Sequence, residues 1–498
     1  MSSTTTPATK TQNKPLDSRS PISRRKNASP WTLIRSSPDL ANNPLKPLDP
    51  TSPTSSPQTT NPLFQNLSLA DTEISADPET PTPSAALPKR VVRLALSFSL
   101  LSNGVPRLPT EAEIEEVRTH FPTMTSLSWA YPLLVISVQE LPARPWPTIL
   151  ADLPLWIKKT GEQSPATMGK FSRSHNKFTI KGEITAYHTP NETTIFEVYQ
   201  LLNEKGAGID RIRWDGLVFR AYGNQEPEQG WQNSLPRSIN SFAVLYFWEP
   251  LALIERAMRL KAPSVTTTDD TQYERNELRP GVMLSAFANN MRDTLNTTSG
   301  ICVESPTSGK KFITLAAHGF TASIGDSVYH PKAVLKDNLP DPKYEIATVV
   351  RKFGDTDIAL AELKPDIHYS RETFWDPAPG QPSVQGFRAF HNTEELKYGD
   401  SVFMNTPFNG QCEGVYIETE WVMGIPPEDG GIFCEISHFS YWGNGSSVFF
   451  DGCCGGIMWN DNFEVIGQFR FQEKTGLQRA VCPSFQILKD KGYQISSL

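Results

Sequence analysis

Between residues 300 and 471 the chain is a succession of short apolar runs separated by Gly, Pro and Asn. They are Gly300–Glu304, Lys311–Leu315, Glu345–Arg351, Asp357–Leu363, Asp400–Met404, Gly414–Thr419, Ser447–Phe450, Ile457–Trp459 and Val465–Phe471. Short runs with turn chemistry between them predict strands, and so many in close succession predict an all-β barrel or sandwich.

The rest of the 498 residues has a different texture. Residues 1–88 hold 15 of the 42 prolines among Ser, Thr and Asn, interrupted only by fragments such as Trp31-Thr32-Leu33-Ile34 and Leu63-Phe64. Such a segment buries too little apolar surface to offset its ordering entropy, so a disordered tail is expected. Its Arg24-Arg25-Lys26, beside Ser20 and Ser23, reads first as solvated tail and second as a nuclear import or docking signal.

From 89 to 260 the patterns mix. Strands are expected at Val91–Leu101, Leu133–Val138, Lys177–Tyr187, Ile212–Tyr222 and Phe242–Phe247. Helices are expected at Pro109–Phe121, Trp146–Ile157, Thr194–Asn203 and Leu251–Leu260. The mixture predicts an α/β middle domain of unknown function. It has no glycine-rich phosphate loop, and His120, His175 and His188 are scattered without ligand spacing. A polar stretch, 261–280, is expected to link it to a C-terminal domain, 281–498.

Bulk properties exclude several classes. A net charge of -7 gives no general attraction to nucleic acid or to an anionic membrane. No apolar run reaches the length of about 18 residues that a membrane-spanning helix needs. Met1–Lys14 has no apolar stretch of signal-peptide type. A cytoplasmic location is expected, or a nuclear one if the basic cluster is an address. The six cysteines (Cys302, Cys412, Cys434, Cys453, Cys454, Cys482) form no CxxC pair, so free thiols are expected, with no metal and no cofactor.

Three local motifs in the strand-rich region carry chemistry. Thr314-Leu315-Ala316-Ala317-His318-Gly319 ends a strand-like run on a histidine among small residues. Asp355-Thr356-Asp357-Ile358-Ala359-Leu360 places an aspartate at the start of an apolar strand. Asp451-Gly452-Cys453-Cys454-Gly455-Gly456 puts a cysteine in a glycine-flanked loop. A thiolate can attack a carbonyl carbon, a histidine can take and return the proton, and an acid can fix the histidine's tautomer and support its charged form. Glycines let backbone N–H groups converge on the oxyanion that develops. Those donors are expected to be Gly452 and Cys454. Asp357 is preferred to Asp355 as the acid because of the Ile-Ala-Leu that follows it.

With those residues in view, the sequence resembles the chymotrypsin/trypsin-like peptidase superfamily. Ala316-Ala317-His318 is similar to its Ala-Ala-His motif, Asp357-Ile358-Ala359-Leu360 to its Asp-Ile-Ala-Leu motif, and Gly452-Cys453-Cys454-Gly455-Gly456 to its Gly-x-Ser-Gly-Gly motif. Cysteine in the nucleophile place is the form of the branch that includes viral 3C-type proteases. The resemblance covers roughly 290–495. It implies an all-β double barrel and an intracellular cysteine endopeptidase, with His318, Asp357 and Cys454 as its triad. Protein or peptide substrates are implied, the chain itself among them. The same resemblance places Val448, Gly467 and Phe469 at the substrate pocket. Val448 stands where trypsin-type enzymes hold a carboxylate, and Phe469 where 3C-type enzymes hold a histidine. Neither basic nor glutamine preference is therefore implied; an apolar or small P1 residue is. Gly319 stands where secreted members place a disulfide cysteine, which fits a reducing compartment. The alternative is a catalytically silent protease fold used as a binding or signalling module.

Overall fold

The computed structural model describes residues 93–102, 105–164, 170–174, 176–227, 230–248, 278–287, 294–319, 324–330, 335–337, 339–354, 356–374, 384–423, 434–445, 449, 452–472 and 479–496. The expected tail, the helix at Leu251–Leu260 and most of the polar stretch 261–280 lie outside them. So does the expected strand Ser447–Phe450, apart from Phe449. The described residues are mostly β-sheet with few helices. Among them no helix is long and apolar enough to cross a membrane.

The two longest helices form where local chemistry starts them. Thr110 opens Glu111–His120 with a capping box: its hydroxyl accepts the Glu113 N–H, and the Glu113 carboxylate accepts the Thr110 N–H at 2.8 Å. Asn191 caps Glu192–Glu204, whose Ile195, Val198 and Leu202 share one buried face. The helix expected at Trp146–Ile157 is absent. Instead, Ile149–Leu150 and Leu153–Lys159 form a tight hairpin, with Ala151 and Asp152 at φ 48° and 69°. Pro145, Pro147 and Pro154 explain the failure, because each removes a backbone donor and crowds the preceding turn. The single strand expected at Ile212–Tyr222 is two strands, Ile209–Trp214 and Val218–Gly223. The Asp215-Gly216 turn divides them, with Gly216 at φ 94° and the Asp215 carboxylate accepting the N–H groups of Leu217 and Val218. Of Lys177–Tyr187, only Lys177–Phe178 is strand.

Two large sheets position everything that follows. The eight-stranded sheet runs in the order Thr294–Thr298, Met283–Phe287, Ser327–Tyr329, Glu345–Lys352, Ile358–Leu363, Lys311–Ala316, Cys302–Glu304, Gln494–Ile495. The fourteen-stranded sheet is organised around the 14-residue strand Gly410–Met423. Its first half pairs with Ser401–Thr406, its second half pairs with Ile209–Trp214, and Cys434–Tyr441 runs along most of its other edge. Strand pairing therefore runs without a break from residues 209–247 into 401–483.

Where Ile209–Trp214 meets Gly410–Met423, the register sets Arg213 opposite Glu420. Arg213 bonds Glu420 through Nε and reaches Glu418 at 3.4 Å. Arg220 holds Glu418 at 2.5 Å and Asp215 at 2.6 Å, and Arg479 bonds Glu418 from the strand-rich side. All six groups are buried. Burial would raise the Glu418 carboxyl, but Arg479, Arg220 and Arg213 outweigh it and hold it below its ordinary range. A second tie is apolar: Leu133–Val138 and Leu153–Ile157 pack in one core with Val415, Ile417, Phe439, Tyr441 and Val481.

Candidate active site

His318 and Asp357 are brought together by strand register. Lys311–Ala316 pairs antiparallel with Ile358–Leu363, Ala316 opposite Ile358, and the Ala317 N–H donates to the Asp357 carbonyl at 2.8 Å. The chain then turns through the short 3-10 segment Ala317–Gly319, which carries His318. Asp357 sits at φ 67°, a conformation that costs an L-residue energy but that Asp tolerates better than most. Its carboxylate compensates: one oxygen accepts the His318 backbone N–H at 2.7 Å, the other faces His318 Nδ1 at 2.5 Å. Asp355 lies outside the described residues.

Cys454 comes from the other large sheet, in the loop before Ile457–Trp459. Its Sγ donates to the Arg470 carbonyl at 2.8 Å, and its sulfur also lies within interaction range of His318. Burial alone would pull the imidazole down. The Asp357 carboxylate and then Cys454, by charge and hydrogen bonding, outweigh burial and carry His318 up to about 10. Burial would raise Asp357, but His318 and the Arg470 guanidinium, 3.8 Å away, hold it below its ordinary value. At neutral pH His318 is therefore an imidazolium with Nδ1–H given to Asp357.

The loop that carries Cys454 needs its glycines. Gly452 and Gly455 have φ of 107° and 91°. A Cβ on Gly452 would meet the Phe408 ring at 2.7 Å, and one on Gly455 the Thr298 carbonyl oxygen at 2.4 Å. The carbonyls of Gly452, Cys453 and Cys454 are engaged. Thr298 Oγ1 donates to the Gly452 oxygen at 2.7 Å, Gly456 N–H to Cys453 at 3.0 Å, and Thr298 N–H to Cys454 at 3.0 Å. Among the described residues, no acceptor takes the N–H of Gly452 or of Cys454.

Adjacent cysteines face opposite environments. Cys453 is fully buried and its Sγ donates to Asn409 Oδ1 at 2.8 Å, with Thr406 Oγ1 at 3.3 Å. It is a free thiol, as are Cys302, Cys412, Cys454 and Cys482. Burial pushes the Cys302 thiol up to about 11 and Cys482 well above the ordinary thiol range.

Of the pocket residues, Val448 lies outside the described residues. Phe469 is buried against Phe449, ring centroids 5.0 Å apart, and Phe449 packs in turn on Trp442. The Phe469 backbone brackets the nucleophile loop, accepting the Gly455 N–H at 2.8 Å and donating to Gly456 at 2.7 Å. Gly467 turns its Cβ direction toward the Pro483 carbonyl and Cys482, on the neighbouring strand. His438 is buried, bonded to Thr419 Oγ1 at 3.0 Å, and pushed down to about 3 by burial. Its bond turns it to the strand Gly410–Met423.

Four residues at the site had no local signal. Gln468 is fully buried, and its Nε2 donates to the carbonyls of Leu315 and Asp357, both at 3.0 Å. Arg470 stands between Asp357 and Glu435. Thr297 and Thr298 hold the nucleophile loop from the edge of the other sheet. Each acts across a distance in sequence that no local pattern reports. Among the described residues no cluster of three or more His, Cys, Asp or Glu could hold a metal.

No protein-family model matches this chain, and no curated protein matches it. Solved structures share a weak likeness. Protease A of Thermobifida fusca is 12% identical with a TM-score of 0.30, covering 45% of this chain and 100% of that one. A Nocardiopsis protease is likewise 12% identical at 0.30, over 44% and 100%. The Rv3671c protease of M. tuberculosis is 15% identical at 0.27, over 42% and 77%. Likenesses this slight carry no weight beside the geometry of the residues themselves.

Proposed function

We propose that this chain is a cysteine endopeptidase of trypsin-like, double-barrel design, with Cys454 as nucleophile, His318 as acid and base, and Asp357 as the group that orients His318. One observation carries the reading. The histidine–aspartate pair of one sheet meets a cysteine of the other in a glycine-bounded loop, two of whose amides have no acceptor among the described residues.

In the proposed cycle His318 already holds the proton that Cys454 has given up, and the thiolate sulfur attacks the scissile carbonyl carbon. The C–S bond forms as the carbonyl π bond opens to an oxyanion, which accepts from the Gly452 and Cys454 amides. The C–N bond breaks, and His318 gives its proton to the departing amine. Water then loses a proton to His318 and attacks the thioester. The C–S bond breaks, the acid departs, and the site returns to thiolate and imidazolium. Phe469, packed on Phe449, supports an apolar or small P1 residue.

The test is cleavage of a random peptide library by the full chain. Cys454→Ala and His318→Ala are each expected to lower turnover at least about 1,000-fold, whereas Cys453→Ala keeps most of it. Iodoacetamide is expected to label Cys454 in a His318-dependent way and faster than Cys302 or Cys482. Full activity in Cys454→Ala would sink the assignment. Labelling of Cys454 no faster than that of the buried thiols, with no peptide cleaved, would leave a silent protease-fold binding module instead.

A further inference from the structure

The loop that would bind the oxyanion is held in shape from outside itself. Gly452 and Gly455 lack the side chains that would restrict their own dihedrals, so the local sequence leaves these peptide planes free to rotate. What removes that freedom is the end of the strand Thr294–Thr298, an edge of the sheet that also carries His318 and Asp357. Thr298 Oγ1 donates to the Gly452 carbonyl at 2.7 Å, and Thr298 N–H to the Cys454 carbonyl at 3.0 Å. Thr297 Oγ1 bonds the same Cys454 carbonyl. Both threonines are buried, so water cannot take over their part without opening the core. The peptides on either side of the Cys453–Cys454 peptide are thus pinned to the threonines, which fixes the plane between them, the one that carries the Cys454 N–H.

We propose that Thr298, assisted by Thr297, is a positioning residue that keeps the nucleophile loop open as an anion-binding site. This rests on the peptidase reading and adds a division of labour: His318 and Asp357 govern the nucleophilicity of Cys454, and Thr298 governs stabilisation of the oxyanion. The two can be separated, because alkylation by iodoacetamide displaces iodide from a saturated carbon and forms no oxyanion, whereas acyl transfer does.

The experiment uses the full chain and the fastest-cleaved peptide of the library above. Thr298→Val keeps the side-chain shape and removes the hydroxyl. It is expected to lower kcat about 10- to 100-fold, with KM changed less than about two-fold. Affinity for the matching peptide aldehyde should fall in step, and iodoacetamide labelling of Cys454 should keep its rate and pH dependence. Thr298→Ser restores the hydroxyl and should recover kcat to within about three-fold. An unchanged kcat in Thr298→Val overturns the proposal. So does alkylation that falls in parallel with kcat, or a serine variant that recovers nothing, since either marks a merely structural role. If the unaltered chain neither cleaves peptides nor shows His318-dependent labelling, the peptidase reading fails and takes this proposal with it. Hydrolysis by the unaltered chain with an indifferent Thr298→Val removes only the role given to the threonine.

Discussion

At the scale of single residues, the His318–Asp357 pair makes stability depend on pH with a definite sign. His318 rises from 6.5 to about 10 in the folded chain, so its contribution is complete below 6.5 and is lost as pH rises through 10. The difference in denaturation midpoint between the unaltered chain and His318→Gln should be largest near pH 6 and shrink toward pH 10. A difference that instead grows with pH would contradict the assigned pair. Asp357→Asn removes the charge that supports the imidazolium while keeping its shape. It is expected to lower turnover about 100-fold and to move the alkaline limb of Cys454 alkylation to lower pH. Cys453 behaves otherwise. Its thiol is spent on Asn409 and Thr406, so Cys453→Ala should cost about 1–3 kcal/mol of stability and little activity.

At the scale of elements, the proposed catalytic residues sit where backbone conformation is least free. Asp357 at φ 67°, Gly452 at 107° and Gly455 at 91° are conformations that neighbouring strands must impose. Gly455→Ala tests this, since its Cβ would fall 2.4 Å from the Thr298 carbonyl oxygen, a backbone atom that cannot swing away. The loop and the strand Thr294–Thr298 must then separate. Turnover is expected to fall more than about 10-fold and stability by about 1–3 kcal/mol, measured by peptide cleavage and thermal unfolding. Gln468 acts at the same scale, tying the strand after the nucleophile loop to Leu315 and Asp357 in the other sheet.

At the scale of the whole molecule, one sheet continues from residues 209–247 into the strands around Cys454, and buried arginines and carboxylates stitch the join. Such a cluster adds little net stability when whole but is costly to break, because a lone partner is left charged in a dry interior. Glu418→Gln removes the carboxylate that Arg213, Arg220 and Arg479 share. It should destabilise the chain by about 3–5 kcal/mol, read from chemical denaturation. A fragment of residues 278–498 would expose Val415, Ile417, Phe439 and Tyr441, along with the unpaired second half of Gly410–Met423. It is expected to aggregate on size-exclusion chromatography; a monodisperse, well-melting fragment would show that the join is dispensable.

How much of this was legible in the sequence follows from range. Motifs of a few residues carried His318, Asp357 and the glycine-bounded Cys454, because the chemistry of a reacting group and the φ demands of its loop are local. The short-strand rhythm likewise announced the β-rich C-terminal half, and local pattern announced the helices near Pro109–Phe121 and Thr194–Asn203. Proline placement and the Asp215-Gly216 turn are readable too, yet apolar content outweighs them and points to a helix at Trp146–Ile157 and one strand at Ile212–Tyr222. Only tertiary structure decided that Thr298 and Gln468 serve the site and that Arg213 lies against Glu420. Those facts depend on register and on pairing between residues far apart in the chain. A charged or hydroxylated side chain has no local periodicity that says whether it will meet water or a partner.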